Sequence, residues 1–171
     1  PELDVRSTVR SIVDEVKRRF GNVALPAIML EPGRSIVADA GLTVYTCTSV
    51  KNAGKTSYVA VDGGMPDNPR FALYEASYKV RNVTRAAEEG TRLYTIAGRC
   101  CESGDLIQKN VSLPETKRGD FIAVETTGAY NYSMASNYNR LPRPAVIMLD
   151  KNEEHIVVRR ETFGDILDND L

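Results

Sequence analysis

A chain of 171 residues with 42% hydrophobic and 26% charged side chains can bury a real core, which excludes a disordered polymer and fits one globular domain with an appendage. Lys and Arg (22) nearly cancel Asp and Glu (23), leaving a net charge of −1 and no block of like charge, so nucleic acid and anionic membrane surfaces are excluded as natural partners. No run approaches the roughly 20 apolar residues of a membrane span and no basic-then-apolar leader opens the chain.

Residues 4–20 carry Val5, Val9, Ile12, Val13, Val16 and Phe20 at spacings of three and four, the apolar stripe of an amphipathic helix, and Gly21 is placed to cap it. Ala27–Leu30 is a short apolar run that predicts a buried strand. It leads into Glu31-Pro32-Gly33-Arg34 and then SIVADAG, a glycine turn opening one or two helical turns. Helix, strand, turn and helix in that order make half of an α/β unit.

From residue 42 the texture changes to alternation and β-branched side chains. Strands are predicted at Leu42–Val50 and Ser57–Val61 around a turn at Lys51–Gly54, and then near 78–84, 92–97, 106–111, 121–125, 144–149 and 155–160. Many short strands broken by Gly, Pro and Asn predict a β-barrel or sandwich. FALYEA (71–76) is the helical interruption, and Glu161–Leu167 predicts a terminal helical turn or two.

The 3 cysteines, Cys47, Cys100 and Cys101, have neither metal-ligand spacing nor a paired framework, so no metal is expected. They read as reduced thiols of a cytoplasmic protein. The start at Pro1, without an initiator Met, points to a piece of something longer.

Four segments carry candidate chemistry. In EPGR a glycine at a strand-to-helix turn lets backbone amides approach a phosphate, and Arg34 adds a fork for an anion; the same four residues would equally serve as a plain helix start with a surface arginine. In DGGMPDNPRFALYEA, Arg70 and Tyr74 fall on one helical face. Arg70 stands in the first turn, where the helix dipole disfavours a cation, which an anionic ligand would explain. AGRCCESGD sets Cys100, Cys101, Glu102 and Ser103 before a Gly-Asp turn. GAYNYSMASNYN packs Tyr130, Tyr132 and Tyr138 among serines and asparagines, a composition suited to a polar ligand or to a protein interface.

EPGRSIVADAG, VDGGMPDNPRFALYEA, IAGRCCESGD and GDFIAVETTGAYNYSMASNYN, in that order and over nearly the whole chain, resemble the C-terminal part of the diaminopimelate decarboxylases. These are pyridoxal-phosphate (PLP) enzymes of the fold shared with alanine racemase and ornithine decarboxylase. The resemblance implies a mainly β architecture. Residues 1–41 would be the last helix-strand-helix piece of a (β/α)8 barrel, and 42–171 the C-terminal β-barrel domain.

It further implies a homodimer with active sites shared across subunits and decarboxylation of meso-2,6-diaminopimelate to L-lysine. Glu31, Gly33, Arg34 and Tyr130 would hold PLP; Arg34, Arg70, Tyr74, Glu102 and Tyr130 would hold substrate; Cys101 would be the proton donor. The N-terminal barrel of the same polypeptide, with its Schiff-base lysine, would be a necessary partner, since none of the lysines here sits in the expected context. The chain alone is therefore expected to be inactive. In ornithine decarboxylases Asp-Gly typically follows the cysteine, whereas Glu102-Ser103 follows it here. An ornithine- or arginine-type decarboxylase domain and a non-catalytic β-barrel interaction module are the alternatives.

Overall fold

The computed structural model describes residues 4–21 and 24–171. The chain falls into two compact units, Pro1–Ile36 and Val37–Leu171.

In the first unit, helix α1 spans Val5–Phe20. Asp4 caps it by accepting from the Ser7 amide at 3.2 Å, Gly21 ends it at φ 58°, and Lys17, Arg18 and Arg19 complement the dipole in its last turn. Its apolar stripe is only partly covered: Ile12, Val13 and Val16 are half-buried, while Val5, Val9 and Phe20 are exposed. The strand expected at Ala27–Leu30 does not form. A strand exists through its ladder partners; this segment has none among the described residues, and Ile28, Met29 and Leu30 are exposed. Helix α2 is one turn, Arg34–Val37, and a 3₁₀ turn at Ala38–Ala40 follows.

The second unit is built on a six-stranded sheet in the order β3-β6-β1-β2-β4-β5. Its strands are β1 Leu42–Ala53, β2 Thr56–Val61, β3 Val80–Asn82, β4 Arg92–Ala97, β5 Leu106–Leu113 and β6 Phe121–Glu125. All the pairs are antiparallel except β2 with β4. The two ends of the order nearly meet: the Tyr78 amide, just before β3, donates to Gln108 Oε1 on β5 at 2.8 Å. The first hairpin is tighter than the expected turn, because Ala53 pairs with Thr56. That leaves the two-residue loop Gly54-Lys55, with Gly54 at φ 60°, the left-handed conformation such short loops require.

Alternation sets the core. On β2, Ser57, Val59 and Val61 are buried, and the two valines join one core cluster with Tyr45 and Cys47 of β1, Tyr94 and Ile96 of β4, Ile107 and Leu113 of β5, and Ile122 and Val124 of β6. Each fully buried Val, Leu or Ile side chain contributes about 1.5–3 kcal/mol by transfer from water. One buried polar knot locks β3 to the turn before β6: Asp120 accepts from Asn82 Nδ2 at 2.9 Å, Arg85 Nε at 2.8 Å and the Lys117 amide at 2.9 Å. Burial alone would raise this carboxyl, but the donors outweigh it and hold it below its usual range.

Between β2 and β3 lies α3, Arg70–Tyr74. After β6 the chain runs through 3₁₀ turns at Tyr132–Met134 and Tyr138–Arg140 into the separate hairpin β7 (Val146–Asp150) and β8 (Glu153–Val158), and ends in α4 (Phe163–Leu167). Glu161 ties this tail back, accepting from the Arg143 amide at 2.8 Å and from Asn137 Nδ2 at 2.7 Å while pairing with the Arg143 guanidinium. Among the described residues, no helix is long and apolar enough to cross a membrane.

Candidate active site

Three loops of the second unit are stitched together by hydrogen bonds: 62–69 after β2, 98–105 between β4 and β5, and 126–140 after β6. The Arg99 amide donates to Gly63 O at 2.9 Å and the Ser136 amide to Pro66 O at 2.8 Å. The Met65 amide donates to Asp105 Oδ1 at 2.7 Å. These are the glycine-, cysteine- and tyrosine-bearing segments that the sequence marks out.

Arg70 stands at the first residue of α3, after Pro69 and with no side-chain cap. Its guanidinium lies over two rings, 5.2 Å from the Tyr74 centroid and 5.3 Å from that of Tyr130. Such contacts are worth about 0.5–1 kcal/mol each where exposed and more where dry. Arg70 Nε is buried without a hydrogen-bond partner among the described residues. Tyr130 adopts φ 61°, a left-handed backbone that costs a non-glycine residue about 1–3 kcal/mol and turns the chain where its ring meets Arg70. The Tyr78 hydroxyl reaches the next residue, Asn131, at 3.5 Å from Oδ1.

Cys100 and Cys101 lie in a bend after β4, so the regular side-to-side alternation of a strand does not separate them. Exposure does: Cys100 is half-buried and Cys101 exposed. Burial, and then the Asp105 carboxylate, push the Cys100 thiol up to about 11, which keeps it protonated and unreactive near neutrality. Glu102 is held below its usual range chiefly by the Gly104 amide at 3.1 Å and then by Ser103 Oγ at 3.3 Å. The Tyr138 hydroxyl also reaches it, at 3.5 Å from Oε2. An anion therefore stands beside an exposed thiol, and Cys100 is silenced.

Arg70, Tyr74 and Tyr130 thus form one cluster, and Cys101, Glu102 and Tyr138 meet at the neighbouring bend. Glu31, Gly33 and Arg34 belong to the first unit. There Arg34 is exposed at the head of α2 and the Ile36 amide donates to Gly33 O at 3.1 Å. The sequence reading missed Tyr138 as a partner of Glu102, and Asp105 as the carboxylate joining two of the loops. The fold makes Asp105 conspicuous: Gly64 and Gly98 flank it in space, and a Cβ on either would come within 2.6 Å of its carboxylate. A neighbouring cleft of about 320 Å³, lined by Asp62, Arg99, Arg160 and Phe163 among others, contains neither a thiol nor a tyrosine. Among the described residues, no group of His, Cys, Asp and Glu could hold a metal ion.

Residues 12–128 match the family described as pyridoxal-dependent decarboxylase, C-terminal sheet domain. The chain is 52% identical over 167 residues to a diaminopimelate decarboxylase of Bacillus subtilis, covering 95% of this chain and 38% of that protein. The solved diaminopimelate decarboxylase of M. jannaschii in complex with L-lysine superposes with a TM-score of 0.81 at 32% identity, over 98% of this chain and 38% of that one. A lysine/ornithine decarboxylase of Vibrio vulnificus, solved with cadaverine, superposes at 0.62 with 26% identity, over 71% of this chain and 33% of that one. This chain spans well under half the length of each of these relatives.

Proposed function

Because the chain belongs to the pyridoxal-dependent decarboxylases, as their C-terminal sheet domain, we propose that it is the substrate-reading and proton-donating portion of a diaminopimelate decarboxylase that makes L-lysine. In this reading residues 1–41 complete a (β/α)8 barrel and 42–171 form the β domain. The working enzyme is a cytoplasmic homodimer whose active sites draw on both subunits, and the barrel's lysine anchors the cofactor. The observation that carries the reading is the join between the loop leading to Arg70 and the bend holding Cys101 and Glu102, made through the Met65 amide and Asp105.

The residues present fit pyridoxal phosphate and an amino-acid substrate in kind. Arg70 Nε is a buried donor with spare capacity, Tyr74 and Tyr130 are exposed, and the Glu31–Arg34 turn offers backbone amides and a guanidinium to a phosphate. When bound, the cofactor supplies the electron sink for the carbon that loses carbon dioxide. Arg34, Arg70 and Tyr74 orient carboxylate, and Tyr130 touches cofactor and substrate together. Glu102, kept ionised by Gly104 and Ser103, receives the distal ammonium. The far end of meso-diaminopimelate carries both an ammonium and a carboxylate, so an anion and a cation read it together; ornithine needs the anion alone. One C–C bond breaks and one C–H bond forms. Cys101 Sγ gives up the proton and recovers it from water.

The test is a chimera in which this chain replaces the matching segment of the B. subtilis enzyme, assayed with meso-diaminopimelate, ornithine, arginine and lysine. Lysine formed from diaminopimelate in preference to decarboxylation of the other three is the expected result. Preference for ornithine or arginine moves the domain to that branch, and a folded, cofactor-binding chimera inert to all four leaves the interaction-module reading. The chain by itself is expected to produce no lysine.

A further inference from the structure

Asp105 is 3% exposed, immediately before β5, and both of its carboxylate oxygens are committed to backbone amides of different loops. Oδ1 accepts from the Met65 amide at 2.7 Å, and Oδ2 accepts from the Cys100 amide at 2.7 Å. Met65 lies in the loop that runs to Arg70, and Cys100 directly precedes Cys101 and Glu102. The surroundings are cut to fit this carboxylate: a Cβ at Gly98 would lie 2.2 Å from Oδ2, and one at Gly64 would lie 2.5 Å from Oδ1. Charge-assisted bonds of this length are about twice as strong as neutral ones, and a carboxylate with one amide on each oxygen fixes the spacing between the loops as no single bond could. Asp67, a half-buried carboxyl of the same region, accepts from the Gly64 amide of its own loop at 3.0 Å.

We propose that Asp105 is a positioning residue: its carboxylate clasps the loop of Met65 to the bend of Cys100, and so sets the distance from Arg70 to Cys101 and Glu102. This rests on the roles assigned above to those three residues. The clasp itself is a claim about two backbone amides and stands or falls separately. Asn at 105 keeps the shape but turns an NH₂ group toward one of the two amides, so one half of the clasp opens. Ala at 98 leaves Asp105 in place but drives its carboxylate off the amides.

The test uses the full-length protein or the chimera, with Asp105→Asn, Asp105→Ala, Gly98→Ala and the double variant Gly98→Ala/Asp105→Ala. Hydrogen exchange read by mass spectrometry is expected to accelerate in peptides covering 62–70 and 98–105 together, in Asp105→Asn and in Gly98→Ala alike. In the same variants kcat for diaminopimelate is expected to fall on the order of 10²-fold, the scale of an ångström-size misplacement, while cofactor affinity and absorption spectrum stay at parental values. The double variant is expected to be no worse than Asp105→Ala, since removing the carboxylate makes room for the new methyl. Exchange that rises in only one loop, kcat within about twofold of the parent, or losses that multiply in the double variant would each overturn the proposal. Should Asp105→Asn fail to fold, Gly98→Ala decides alone by the same readings. If the parent makes no lysine at all, the assignment of function fails and the exchange measurement still decides the clasp.

Discussion

The Tyr138 hydroxyl stands 3.5 Å from Glu102 Oε2, so the tyrosine loop closes over the bend that carries the thiols. Desolvation first, and Glu102 second, push the Tyr138 phenol up, so it stays a donor through the neutral range. Tyr138→Phe removes one of several donors to Glu102 and should weaken its hold on the substrate ammonium. That loss should appear as a several-fold rise in KM for diaminopimelate with kcat little changed; a fall in kcat with KM intact would place Tyr138 in the chemical step instead.

Glu102→Ala should lower kcat/KM for diaminopimelate by removing the anion that receives the distal ammonium, and leave cofactor binding alone. Steady-state kinetics beside a PLP titration measures both, and equal losses for the two ligands would remove Glu102 from substrate recognition.

Arg70→Lys keeps the charge but loses the planar fork and much of the stacking on Tyr74 and Tyr130. A loss of about 1.5–3 kcal/mol in kcat/KM is expected, as for a charge-assisted hydrogen bond. Full activity in the lysine variant would mean that the position asks only for a positive charge.

Glu161 is held down to about 2 from a usual value of 4.5, chiefly by Arg143. A carboxyl depressed on folding stabilises fully above its unfolded value and loses that contribution as pH falls through the folded one. Glu161→Gln should therefore cost most at neutral pH. The gap from the parent should start to close below about pH 4.5 and vanish near pH 2. Urea unfolding at a series of pH values checks this, and a gap independent of pH would show that the Arg143 pair contributes nothing through charge.

The strands of the second unit were legible because alternation and β-branched side chains report a half-buried pleat directly, as in the buried Ser57, Val59 and Val61 of β2. Arg70 and Glu102 drew attention for a different reason: a cation at a helix start and an acid beside a thiol are local oddities of the sequence itself. Ala27–Leu30 misled because apolarity signals burial but cannot supply the neighbouring strand that makes it a ladder. The bonds of Asp105 to Met65 and of Tyr138 to Glu102 escaped notice because they join residues 40 and 36 apart in sequence, which no periodicity reveals. The cysteines, for their part, are told apart by burial and by Asp105, both properties of the folded bend.

Cys101→Ala, made in the chimera and followed through a single turnover, tests the central claim most directly. The account predicts unchanged PLP binding and cofactor spectrum with lysine formation slowed on the order of 10²–10⁴-fold, the contribution of a positioned general acid. Cys100→Ala, lacking only a thiol already pushed up to about 11, should remain close to the parent. Lysine formation at the parental rate in Cys101→Ala, or a larger loss in Cys100→Ala, would contradict it.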